Sequence, residues 1–276
     1  MSDRPIGVFD SGVGGLTVAR ALLEALPNET LLYLGDTARL PYGTKSPQTV
    51  ARYTRRNVAF LVEQGVKAVV VACNTASATA LDAVATPVPT WGVIEPGARA
   101  AAAAARGRVG VIATESTIAS GVYPRSLRRL RPDLVVVSRA CPLFVPLVEE
   151  GWEDDPVAEL VARRYLAPLL AERVDTLVLG CTHYPLLVAV LRRVMGDEVA
   201  LVDSAAAVSR EVAGALDAMG LLASTAAAPR HRILVTDASP PFERLARRIL
   251  GAQIELEAVD IVGFGPKTAL CQDPER

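Results

Sequence analysis

The sequence predicts an α/β protein built on parallel sheets, and two observations predict it. Apolar runs of strand length alternate with segments of helical period from residue 6 onward, the pattern of successive β-α-β units. Two stretches of the first half also reappear in the second, at nearly the same separation. VVACNTA (70–76) is matched by VLGCTHY (178–184), and IGVFDSG (6–12) by VGVIATE (109–115). Such paired echoes suggest an internal duplication of one α/β unit.

The elements follow in order. Residues 6–9 read as the first strand, DSGVGG (10–15) as a turn, and 16–26 as a helix ended by Pro27. A strand over 30–33 leads into a Gly- and Pro-containing loop, 35–45, and Pro47 starts a helix running to about residue 64. The strand over 68–72 delivers Cys73, followed by a helix at 76–84 and a Pro-interrupted strand at 87–93. A second cycle opens with helix 97–105, strand 109–112, helix 116–130 and strand 134–137. CPLFVPLVEEGW (141–152) is too Pro-rich for one clean helix. A helix from Pro156 to about residue 173, the strand 176–179 that delivers Cys181, helix 186–194 and strand 199–202 complete the cycle. Asp203-Ser204 caps a helix to residue 219. A small, polar connection over 220–229 precedes strand 233–235, helix 241–250 and strand 254–256, which are expected to pack back on the first domain.

The composition narrows the function classes. The 276 residues are 51% hydrophobic and 21% charged, enough to bury a core in one large or two ordinary domains. A formal net charge of −1 gives nucleic acid no general electrostatic hold. The first apolar run ends after four residues at Asp10, too short for a secretory signal, and Arg99 and Arg106 bracket the alanine stretch 100–105. Four cysteines lack the close spacing of a zinc site or redox pair, which fits a reducing cytoplasm.

The chemistry-bearing residues stand at strand ends, where open α/β sheets bind ligands. DSGVGG fails the P-loop pattern and, with Thr17 in place of a third glycine, the dinucleotide pattern as well. It reads as a tight turn that carries Asp10 and Ser11 to the sheet mouth. Cysteines are usually buried small hydrophobes, but Cys73 ends a strand beside Asn74 and Thr75. Cys181 ends another beside Thr182 and His183, on the expected first turn of a helix, and His is the usual activator of a thiol. His231 reads as solvated, Cys141 and Cys271 as packing or surface residues, and Arg125, Arg128, Arg129 and Arg131 as one solvated helix face. Cys181 and His183 offer only two metal ligands, and a Cys-His hydrolase would leave Cys73 unexplained. Two thiols facing each other across a cleft suit a two-base enzyme, in which one takes a proton from a carbon and the other returns one to the opposite face. Asp10 could assist Cys73, and His183 could assist Cys181.

FDSGVGG (9–15), YLGDTARLPYG (33–43), CNTAS (73–77), CPLFVPLVEEG (141–151) and GCTHYPLL (180–187) together resemble the glutamate racemases. That resemblance implies two pseudo-symmetric parallel-sheet α/β domains, 1–96 plus 208–276 and 97–207, with the active site in the cleft between them. It implies a cofactor-independent isomerase that holds no metal, interconverts L- and D-glutamate in the cytoplasm and supplies D-glutamate for peptidoglycan, often as a homodimer. The acid/base pair maps to Cys73 and Cys181. The helpers map to Asp10, His183 and a glutamate of the VEEG motif, best placed at Glu150 with Glu149 as its rival. Substrate contacts map to Asp10, Ser11, Pro41, Tyr42, Gly43, Asn74, Thr75, Thr117, Thr182 and His183. By analogy Cys73 serves D-glutamate and Cys181 L-glutamate. The rival readings are an aspartate racemase, a binding protein that inhibits DNA gyrase, and a redox or metal protein using the thiols without turnover.

Overall fold

A computed structural model of the chain describes residues 3–224, 229–251 and 255–261. The strands are β1 (Ile6–Asp10), β2 (Leu31–Gly35), β3 (Ala68–Val71), β4 (Thr90–Gly92), β5 (Arg108–Ala113), β6 (Val135–Ala140), β7 (Thr176–Gly180), β8 (Ala200–Asp203), β9 (Arg232–Val235) and β10 (Leu256–Ala258). They form two parallel sheets, ordered β10-β9-β2-β1-β3-β4 and β6-β5-β7-β8. The fold class expected from the sequence is therefore the one observed. The order 2-1-3-4 in the first sheet recurs as 6-5-7-8 in the second, so the sequence echo has a topological counterpart.

Between the strands run α1 (Leu16–Ala25), α2 (Pro47–Glu63), α3 (Asn74–Thr79), α4 (Ile94–Ala104), α5 (Glu115–Ser120) and α6 (Val122–Leu130). They continue with α7 (Phe144–Glu149), α8 (Pro156–Ala171), α9 (Val188–Met195), α10 (Ser204–Ala218) and α11 (Pro240–Leu250). Both faces of each central strand are covered, which is why these strands read as unbroken apolar runs. In β3, Ala68 and Val70 join the core shared with α1, whereas Val69 and Val71 join the core under α2. The same alternation places Leu177 and Leu179 of β7 opposite Val178.

Several boundaries differ from the expected ones for local reasons. The helix expected over 116–130 breaks at Gly121, whose φ of +63° ends α5 and opens α6. The Pro-rich stretch after Cys141 does hold a short helix, α7, because Pro146 falls in its first turn, where no N–H is needed. The strand expected at 87–93 is only β4, and the last strand is Leu256–Ala258. Residue 254 of its expected span lies outside the described residues. Asp203 caps α10 as expected, accepting from Ala205 N at 2.8 Å.

Helix α10 packs on α1 and on α4, and so joins the halves. The chain beyond it is held at the foot of the first sheet by a buried pair, Lys67 Nζ to Glu29 Oε2 at 2.6 Å. Lys67 also donates to Leu221 O at 2.7 Å, and Ala223 N donates to Glu29 Oε1 at 2.8 Å.

Candidate active site

The two cysteines reach one cavity from opposite sheets. β3 ends at Val71, and Cys73 is the N-cap of α3. β7 ends at Gly180, and Cys181 follows it directly. A single 3-10 turn, Tyr184–Leu187, separates His183 from α9, so His183 precedes that turn rather than opening a helix. Cys73 is 5% exposed and Cys181 7%. Ser11, Pro41, Tyr42, Gly43, Asn74, Thr75, Thr182 and His183 line the same cavity, together with Gly12, Leu40, Thr114, Val145 and Glu149. Its volume, about 30 Å³, suits a water or two.

Each thiol has its own neighbour. Cys73 Sγ donates to Ser11 Oγ at 3.5 Å. Burial, followed by the charge of Asp10, pushes this thiol up to about 12. Asp10 is fully buried behind it, accepting from Gly12 N at 2.9 Å and from Thr182 Oγ1 at 3.5 Å. Burial raises the Asp10 carboxyl, partly offset by the charge of His183 and by the N–H groups of Gly12 and Gly15. Cys181 Sγ lies 3.8 Å from His183 Nδ1, and His183 Nε2 lies 3.1 Å from Glu149 Oε1. Burial alone would pull the imidazole down, but the hydrogen bonds to Cys181 and Glu149 outweigh it and raise it to about 10. His183 thus stands between Cys181 and Glu149, and both neighbours favour its charged form.

One expected helper is corrected. Glu150 is exposed, whereas Glu149 reaches the cavity and His183. The reason is helical spacing: Val145 and Glu149 stand four residues apart on one face of α7, and both line the cavity. Thr117 is not a lining residue. It lies behind Thr75, with Oγ1 atoms 3.2 Å apart, and Thr114 Oγ1 is 2.9 Å from Thr75 and 3.0 Å from Thr117. Thr114 was missed in the sequence, although the echo places it on Ser11. Asp36 accepts from the buried Tyr42 hydroxyl and from Asn57 Nδ2 at 3.1 Å, fixing the loop that carries Pro41 and Gly43. Asn74 donates to Tyr123 OH at 2.8 Å.

The remaining candidates lie elsewhere. Cys141 is buried and donates to Arg139 O at 3.7 Å, a packing role. Cys271 lies outside the described residues. His231 is exposed, though its Nδ1 accepts from Leu31 N at 3.3 Å. The arginines of α6 and its C-cap are partly matched on the surface, Arg129 by Glu95 and Arg131 by Asp133. Among the described residues, no three His, Cys, Asp or Glu side chains converge as a metal-ligand group.

Two results are expected from this geometry. Because the folded value of His183, about 10, exceeds its ordinary 6.5, its contribution to stability is complete below pH 6.5 and is lost as pH rises toward 10. Chemical unfolding from pH 6 to 10 checks this, and His183→Gln should flatten the decline. The second concerns Gly14, where a Cβ would fall 2.4 Å from both His183 Nδ1 and Thr182 Oγ1. Gly14→Ala should displace both side chains and lower kcat/KM by roughly 10²-fold. Unchanged far-UV circular dichroism would separate this from misfolding, and an unchanged rate would refute the close approach.

Comparison with known proteins places this arrangement. Residues 6–212 match the model of the Asp/Glu/Hydantoin racemase family. The chain is 54% identical to a glutamate racemase of Geobacter metallireducens over 264 residues, covering 92% of this chain and 98% of that one. A glutamate racemase isoform of Bacillus anthracis superposes with a TM-score of 0.90 at 42% identity, covering 94% and 98% of the two chains. The enzyme of Francisella tularensis, solved in complex with D-glutamate, gives a TM-score of 0.90 at 38% identity over 96% and 100%.

Proposed function

We propose a mechanism from one premise: the chain belongs to the Asp/Glu/hydantoin racemase family, on its glutamate racemase branch, and interconverts L- and D-glutamate. The observation that carries the mechanism is the pair of strand-end thiols lining one cavity, each with its own polar neighbour.

Glutamate lies with its α-carbon between the two sulfurs. One thiolate takes the α-proton, and the C–H electron pair passes onto the carbon and into its carboxylate. The opposite S–H bond then breaks to form a new C–H bond on the other face, which leaves the first sulfur protonated and the second as thiolate. Cys73 faces D-glutamate and Cys181 L-glutamate. The high value of Cys73 makes it a thiol in the free protein, and the substrate ammonium brings the positive charge that favours its ionisation. On the other side His183, charged and held by Glu149, stabilises the Cys181 thiolate. Asn74 Oδ1 is buried with no hydrogen-bond partner among the described residues, and accepts from the substrate ammonium. The hydroxyls of Ser11, Thr75 and Thr182, with the backbone N–H groups of Tyr42 and Gly43, hold the carboxylates, and Pro41 lines the cavity beside them. Asp10 orients Thr182 and keeps Cys73 protonated until substrate arrives.

The segments 1–96 with 208–276 and 97–207 act as the two lobes of this cleft, and D-glutamate is delivered to peptidoglycan synthesis. Among the described residues no helix is long and apolar enough to cross a membrane. Exposed Trp152 and Leu160 offer apolar contact to a second copy in a homodimer. The test follows L- and D-glutamate by circular dichroism with purified, reduced protein and no added cofactor. Both should converge on the racemate. Racemised aspartate with unchanged glutamate would move the substrate assignment and spare the mechanism.

A further inference from the structure

Helix α11 lies far along the chain from every cavity residue, yet it touches both halves. Phe242, Leu245, Ala246 and Ile249 bury one of its faces, and the helix packs on α1 and on α7. Near its end Arg248 pairs with Glu153, in the turn between α7 and α8. Gly151, with φ +79°, lies beneath the guanidinium, since a Cβ there would sit 3.3 Å from Arg248 Nη1.

The pair is not an ordinary surface contact. Exposed ion pairs contribute little, but the Glu153 side chain is only 17% exposed. Its Oε2 is buried with no hydrogen-bond partner among the described residues. The guanidinium is thus the counter-charge of a largely buried carboxylate, and without it that carboxylate must turn outward to reach water. The turn that would move with it starts one residue after Glu149, whose carboxylate meets His183. His183 in turn meets Cys181. Within the turn, backbone bonds resist this, among them Gly151 N to Val148 O at 3.1 Å and Trp152 N to Leu147 O at 2.8 Å.

We propose that Arg248 is a positioning residue: by pairing with Glu153 it clasps the turn after α7 to α11, and so holds Glu149 against His183 on the Cys181 side of the cleft. This rests on the reading that His183 and Glu149 serve Cys181.

The test is a charge exchange, using Arg248→Glu, Glu153→Arg and the double variant in the full chain, with Glu149→Gln for reference. Racemisation in both directions is followed as a function of pH. Each single variant should lose about tenfold in kcat, and the alkaline limb of its pH profile should move to lower pH, as in Glu149→Gln. The double variant should restore both rate and limb. A merely structural contact would lower the unfolding midpoint and leave the limb in place. Single variants within about twofold of wild type, a limb that stays put, or a double variant no better than the singles would each overturn the proposal. A wild-type protein that does not racemise glutamate would overturn the underlying reading instead.

Discussion

Cys73→Ala and Cys181→Ala are each expected to stop net racemisation, with losses of about 10³-fold or more, since each removes a positioned acid/base group. The two variants should differ in what survives. With one thiol gone, the other still faces one side of the α-carbon and can take a proton and return one to the same side. In deuterated solvent, Cys73→Ala should therefore exchange the α-proton of L-glutamate without inverting it. Cys181→Ala should do the same with D-glutamate. Mass spectrometry combined with chiral chromatography reads both quantities at once. Exchange of both enantiomers by one variant would show that a single group serves both faces, and the two-thiol mechanism would fall. Reversal of the pattern would keep the mechanism and exchange the assignments of Cys73 and Cys181.

Lys67→Met is expected to cost roughly 3–5 kcal/mol of folding stability, the usual result of leaving one partner of a buried ion pair alone. Glu29 would keep its carboxylate at 2% exposure, with Ala223 N as its donor among the described residues. Replacing both, as Lys67→Met with Glu29→Leu, should recover most of the loss, because paired apolar groups need no counter-charge. Denaturant unfolding of the three variants measures this, and a single-variant cost below about 1 kcal/mol would place the pair in the class of solvated contacts. The pair matters beyond stability, since it ties down residues 221–223 directly after α10, the helix that packs on both α1 and α4. The Lys67→Met protein should loosen there first.

The parallel sheets were legible because buried strands such as 68–71 and 176–180 are continuous apolar runs with cysteines at their ends. Cys73, Cys181 and His183 were legible for the same reason, since chain position alone set them at a sheet mouth. Glu149 was not, because two adjacent glutamates differ only in which way α7 turns them, and that phase is fixed by Phe144, Leu147 and Val148 entering the core. Thr114 was hidden by its ordinary appearance as a helix cap. Only the contact with Thr75 across the seam sets it apart. The buried Lys67 and the Arg248 clasp were illegible in principle, as each depends on a partner 38 or more positions away: Glu29 is 38 positions from Lys67, and Glu153 farther still from Arg248.

The repeated strand order has a stereochemical consequence. A flattened α-carbanion presents two faces that a half-turn about an axis in its plane exchanges. Two units of like topology related by such a turn would present like groups to those faces, which answers the demand for a base above and a base below. Mirror-image substrates are then met without a mirror-image protein. The two halves differ in detail, with Ser11 beside one sulfur and His183 with Glu149 beside the other. Because L- and D-glutamate have equal free energies, this unevenness cannot alter the ratio of their kcat/KM values. It is confined to how each direction divides between binding and turnover.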